Sequence, residues 1–204
     1  MVDSAVQNSI SVALGANNCL TIEDVMPALE QVESGDIVLL QLEIPMETVD
    51  ACVAVAAAKG ARVVLNPAPA ATVSEHTLSK LYLITPNQTE AQTLTGVDVT
   101  DIASAELAAQ VLASRGVERV VITMGGSGAF LYHNGKGELI PAHKVAAVDT
   151  TAAGDVYNGA LCAALAEGQS LQDALKFATK ASAISVTRVG AQPSVPTREE
   201  VDNF

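Results

Sequence analysis

One short stretch, Asp149-Thr150-Thr151-Ala152-Ala153-Gly154-Asp155, combines small residues, a helix start and a carboxylate in that helix's first turn. Amides at a helix start lack intrahelical partners, and with the helix dipole they make a site for phosphate or a developing negative charge. Asp and Thr before a helix also make an ordinary N-cap, and the residues alone leave both readings open. Asn87-x-x-Glu90 sets two polar side chains one helical turn apart, which by itself reads as a cap and its first-turn dipole partner. Gly125-Gly126-Ser127-Gly128 follows an apolar run. Glycines there allow a ligand close to the backbone, and equally make a plain tight turn. Neither G-x-x-x-x-G-K-[ST] nor G-x-G-x-x-G occurs, which excludes a P-loop and argues against a dinucleotide fold. Cys19, Cys52 and Cys162 form no CxxC pair, so buried thiols in a reducing compartment are expected rather than a zinc cluster or disulfide framework. His76, His133 and His143 show no ligand spacing and read as structural or surface residues.

The elements that must position these residues follow from periodicity. Thr21-x-x-Asp24 approximates a capping box, and Ile22, Val25, Met26 and Leu29 then recur at helical spacing, predicting a helix over 22–32. Ile37-Val38-Leu39-Leu40 reads as a strand, with a helix over 46–59 after Pro45, ended by Gly60. Strands are expected at 62–65 and 81–84, helix at 90–94 and 103–115, then a strand at 120–122. Residues 129–132 and 138–140 flank Asn134-Gly135, a hairpin signal because both residues tolerate positive φ. Helices over 155–166 and 171–186, joined through Gly168, complete the pattern. Alternating strands and helices predict an α/β fold, a three-layer αβα arrangement with a mainly parallel sheet and ligands at the carboxyl ends of its strands.

Composition narrows the function. A chain of 204 residues, 49% hydrophobic and 17% charged, reads as a single domain over 1–204 with a sizeable core, and aromatics at 3% with no Trp make that core aliphatic. The formal net charge of −12 argues against nucleic-acid and membrane-surface partners. The acidic start and the lack of an apolar run of about 18 residues point to a cytoplasmic protein.

The motifs together resemble the ribokinase branch of the PfkB carbohydrate kinase family, whose signature is Asp-Thr-x-x-Ala-Gly-Asp-x-Phe-x-Gly. Here it reads Asp149-Thr150-Thr151-Ala152-Ala153-Gly154-Asp155-Val156-Tyr157-Asn158-Gly159. The resemblance extends in order through Leu65-Asn66-Pro67-Ala68-Pro69, Thr85-Pro86-Asn87-Gln88-Thr89-Glu90, Thr123-Met124-Gly125-Gly126-Ser127-Gly128 and the tail from Val186 to Pro196. It implies an ATP-dependent kinase that phosphorylates the primary hydroxyl of ribose or a similar sugar. Asp155 would be the base, with the amides of Ala152, Ala153 and Gly154 stabilising the transferred phosphoryl group. The family usually carries Gly where this chain has Ala152, whose methyl could narrow the approach if φ is positive there. Asn87 and Glu90 would place phosphate and Mg²⁺, with Glu90 acting through water. Thr123, Met124, Gly125, Gly126, Ser127 and Gly128 would contact the nucleotide, as would Thr179, which otherwise reads as plain helix surface. Glu43, just after a strand, would meet the sugar, or else is a solvated loop carboxylate. A monovalent cation, K⁺, would be held around Asp149, Thr151, Ser185, Arg188, Gly190 and Ser194, several through main-chain carbonyls, organising the loop electrostatically.

The resemblance begins in the middle of the family's fold. An early glycine pair and Asp that grip the sugar, and a small β lid, precede the segment matched here. Residues 9–12 resemble a strand following that lid. The expectation is therefore an N-terminally truncated kinase lacking the N-terminal strands and lid. Its exposed apolar sheet edge could join copies into a homo-oligomer. The alternative is a catalytically inactive remnant or nucleotide-binding module, since phosphoryl transfer depends on positioning and a dry site.

Overall fold

The computed structural model describes residues 13–204, so the strand expected over 9–12 lies outside the described residues. These residues form two compact units: residues 14–124 with 130–139, and residues 125–129 with 140–204.

The first unit holds the sheet. Helix α1 (Ile22–Glu30) starts at the expected capping box, Thr21 accepting from the Asp24 amide and Asp24 Oδ2 from the Thr21 amide at 2.9 Å. It ends two residues early, because Gln31 and Val32 close a tight turn onto Ala28 and Leu29 carbonyls. Strand β1 (Ile37–Leu40), helix α2 (Met46–Ala58) and strand β2 (Arg62–Leu65) follow as expected. Lys59, capping α2, sends its ammonium to the carbonyls of Leu29, Glu30 and Val32 at the end of α1. A cation placed there opposes the negative end of the helix dipole.

A short helix α3 (Glu75–Leu78), capped by Ser74, escaped the periodicity. It also trims the next strand: Lys80 and Leu81 amides turn back onto Thr77 and Leu78 carbonyls, so β3 spans only Leu83–Ile84. Helix α4 (Gln88–Thr95) is longer than its apolar positions suggested, since Asn87 caps it from outside. Helix α5 (Ile102–Ser114) leads through Gly116 into β4 (Arg119–Thr123). Strands β5 (Ala129–His133) and β6 (Lys136–Ile140) make the expected hairpin, Asn134 and Gly135 both at positive φ of 53° and 72°.

The sheet order is β1-β2-β3-β4-β5-β6, with β1 to β4 mutually parallel. Leu40 pairs with Leu65 and Val64 with Leu83, so the carboxyl ends of β1, β2 and β3 lie nearly level. The core is aliphatic: Val49, Val53 and Ala56 of α2 are fully buried with Val63 and Leu65 of β2, Leu112 of α5 and Ile122 of β4. Burial of each large member contributes about 1.5–3 kcal/mol, which makes two-sided aliphatic runs sufficient without Trp.

The second unit is helical. Helix α6 (Ala153–Ala166) starts two residues before the expected Asp155 and ends at Gly168, φ 83°. Helix α7 (Leu171–Ser185) packs along it, and a short α8 (Arg198–Asp202), begun by a Thr197–Glu200 capping box, packs on α7. Val156, Ala181, Ile184 and Val201 form their shared apolar cluster. Among the described residues no helix is long and apolar enough to cross a membrane.

Candidate active site

The loop into α6 is not an ordinary N-cap. The capping residue is Ala152, held in the left-handed region at φ 61°, ψ 11°, and no side chain caps the helix. Asp149 instead folds back: Oδ1 accepts from the Thr151 amide at 2.9 Å and Oδ2 from the Gly190 amide at 2.9 Å. The Gly190 bond first, then those of Thr151, hold the Asp149 carboxyl below its ordinary value. The Ala153 amide donates to the Thr150 carbonyl at 3.2 Å, closing the turn. Gly154 and Asp155 are exposed beyond it. Asp155 and Ala152 line a cavity of about 520 Å³ whose walls include Gly159 and Ala163 of α6, Phe177 of α7 and Val201 of α8.

Of the residues assigned to a monovalent cation, Asp149, Thr151 and Gly190 are brought together by direct hydrogen bonds. Ser185 and Ser194 are buried, each hydroxyl donating to a carbonyl three residues back, Ser182 and Ala191. The Arg188 side chain departs from the group, ion-paired to Glu200 at 2.6 Å and pulling that carboxyl down to about 2. Only main-chain atoms of Arg188 remain for the loop. Thr179 is buried in α7 rather than on its surface, with its hydroxyl donating to the Leu175 carbonyl at 2.8 Å. Tyr157 is beside it in chemistry: its buried hydroxyl has Thr179 as polar neighbour without the geometry of a regular hydrogen bond, and burial drives its pKa up strongly.

Gly125, Gly126 and Ser127 form an exposed single turn, and nothing would meet a Cβ on either glycine. Gly128 differs. At φ 109° a Cβ there would collide with the Ile140 carbonyl and the Ala142 amide, so that glycine is fixed by packing.

In the sheet unit, polar groups follow the carboxyl ends of the parallel strands, where ligands of such sheets bind. Asn87 and Glu90 form a reciprocal cap: Asn87 Oδ1 accepts from the Glu90 amide, while Glu90 accepts from the Asn87 amide and Nδ2, both at 2.8 Å. Burial raises the Glu90 pKa, opposed by the Asn87 amide. Asn87 bridges in parallel to Thr123, half-buried at the end of β4, whereas the Met124 side chain belongs to the core. Glu43 is exposed in the bend after β1. Among the described residues no three His, Cys, Asp or Glu converge to hold a metal ion. Asn66, which sequence reasoning quoted without a role, is buried after β2 and bonds the strands on either side. Its signal was a lone amide directly after an aliphatic strand.

A parallel sheet whose strands end in polar side chains, and a helix start whose backbone no side chain caps, define the class as a parallel α/β protein. The sequence matches the pfkB family of carbohydrate kinases over residues 1–198, and the chain belongs to that family. The ribokinase of Haemophilus influenzae is 45% identical over 203 residues, covering 100% of this chain and 66% of that protein. A crystal structure of ribokinase from Thermotoga maritima superposes with a TM-score of 0.87 at 40% identity, covering 99% of this chain and 66% of that one. Arabidopsis thaliana ribokinase complexed with ribose and ATP gives 0.86 at 30% identity, covering 97% and 64%. The α/β fold expected from the sequence is thus a ribokinase fold, of which the chain spans 66% of the length of its first curated relatives.

Proposed function

We propose that this chain carries the phosphoryl-transfer part of an ATP-dependent sugar kinase acting on the primary hydroxyl of ribose or a similar sugar. The observation that carries the reading is the α6 start, where the left-handed Ala152 turns the chain so that Gly154 and Asp155 stand exposed together. Asp155 accepts the proton of the attacking hydroxyl while the first-turn amides stabilise charge spread over the transferred phosphoryl oxygens. The Ala153 amide is already turned onto Thr150, so Gly154 is the principal donor.

Glu90, held by two Asn87 nitrogen donors, would orient Mg²⁺ through water, a carboxylate being the kind of oxygen ligand that ion takes. Mg²⁺ neutralises phosphate charge, which matters in a chain of net charge −12. Carbonyls around the Asp149–Gly190 clasp would hold K⁺, whose positive field steadies the loop. Asn87, Thr123 and the exposed Gly125–Ser127 turn would meet the nucleotide, and Glu43 the sugar. Thr179, buried in α7, would stand beside the adenine ring of the nucleotide.

A second reading is favoured by one observation. The cavity beside Asp155 is walled mainly by apolar side chains, poorly suited to hold a polyol. On that reading the chain binds nucleotide and transfers nothing. A coupled assay for ADP, with and without ribose and K⁺, separates the two. Ribose-dependent ADP release supports the kinase. MgATP binding with no release supports the module.

A further inference from the structure

The carboxyl ends of β1, β2 and β3 are level, so the residues that follow them, Gln41, Asn66 and Thr85, stand side by side. Asn66, the middle one, is 7% exposed, and it ties in both directions. Toward β1, its amide donates to the Leu40 carbonyl at 2.9 Å and its Oδ1 accepts from Gln41 Nε2 at 3.4 Å. Toward β3, its Nδ2 donates to the Thr85 carbonyl at 3.1 Å. The Leu42 amide reinforces the first tie by donating to the Ala68 carbonyl at 2.8 Å.

Gln41 lies two residues before Glu43, and Thr85 lies two residues before Asn87. One side chain therefore links the loop bearing the sugar-side carboxylate to the loop bearing the Asn87–Glu90 cap. A primary amide offers donor and acceptor on one short planar group. Asp offers only the acceptor when ionised, and Gln adds a methylene to a buried side chain already bonded on both sides.

We propose that Asn66 is a positioning residue that sets the spacing between the Glu43 loop and the Asn87–Glu90 cap. It acts through Gln41 on one side and Thr85 on the other. The proposal rests on the reading that those two loops serve the sugar and MgATP.

The test uses the whole chain with Asn66→Asp and Gln41→Ala, followed by amide hydrogen exchange per segment and calorimetric MgATP binding. Asn66→Asp keeps the acceptor for Gln41 and loses the donor to Thr85. Exchange over 85–90 should rise about five- to tenfold while 41–43 stays within about twofold, and MgATP affinity should fall about tenfold. Gln41→Ala should do the reverse, loosening 41–43 and leaving 85–90 and MgATP affinity unchanged within about twofold. Exchange rising equally in both segments in either variant would overturn the proposal. So would unchanged MgATP affinity in Asn66→Asp. A wild-type chain that binds no MgATP counts against the functional reading of Asn87 and Glu90, and the segmental exchange pattern then decides the role of Asn66 by itself.

Discussion

Replacing Ala152 with Gly is the sharpest probe of the α6 loop, because Ala152 and Ala153 are adjacent, both half-buried, and differ in backbone. Ala152 is left-handed at φ 61°, whereas Ala153 is the first helical residue. A non-glycine residue in the left-handed region carries roughly 1–2 kcal/mol of strain, which Gly relieves. Against that, Gly adds about 0.4–1 kcal/mol of unfolded-chain entropy, and loss of a half-buried methyl costs about 0.4 kcal/mol. The terms nearly cancel, so Ala152→Gly should change stability by under about 0.5 kcal/mol, with a slight gain favoured. At Ala153 no strain is relieved, so Gly there should cost about 1 kcal/mol. Urea unfolding of the two variants side by side reads the difference, and Ala152→Val should be the worst of the three because a β-branched side chain is an outlier at positive φ. Equal losses at 152 and 153 would refute the left-handed turn, and with it the account of how Gly154 and Asp155 are presented.

Lys59→Met, which keeps the apolar stem and removes the three bonds to α1 carbonyls, should destabilise the sheet unit by about 1–2 kcal/mol and raise exchange in α1 first. Tyr157→Phe removes a buried hydroxyl lacking a regular partner, so the thermal midpoint should rise by about 2–4 °C; a fall would mean that the hydroxyl is well bonded. Glu90 has its folded pKa raised above the unfolded value of 4.5, so the stability it contributes is full below that pH and is lost as pH climbs through the raised value. The stability of Glu90→Gln relative to wild type should therefore increase with pH through that window in urea titrations, and a decrease would contradict the burial of Glu90.

The sheet was legible because its strands are short aliphatic runs set between helices of a different period, and because glycines at 60, 116 and 168 end helices with a positive φ. Caps were legible where side chains do the capping, as at Thr21 and Asn87. The α6 start was legible only in part: the family's usual Gly pointed to a positive φ at Ala152, but no residue type announced a helix begun without a side-chain cap. Helices α3 and α8, of four and five residues, are too short for periodicity to register. Site residues named by resemblance carried their positions but not their side-chain directions. Arg188 spends its guanidinium on Glu200, Thr179 its hydroxyl on Leu175, and Met124 lies in the core. Asn66 went without a role because its work is done between strands, which only the register reveals.

The most direct test of the central claim compares wild type with Asp155→Asn in ribose-dependent ADP release, alongside MgATP affinity. Turnover should fall about a hundred- to ten-thousandfold with MgATP affinity unchanged, the signature of a lost general base at a site still able to hold nucleotide. Turnover in Asp155→Asn within a few fold of wild type would contradict that claim.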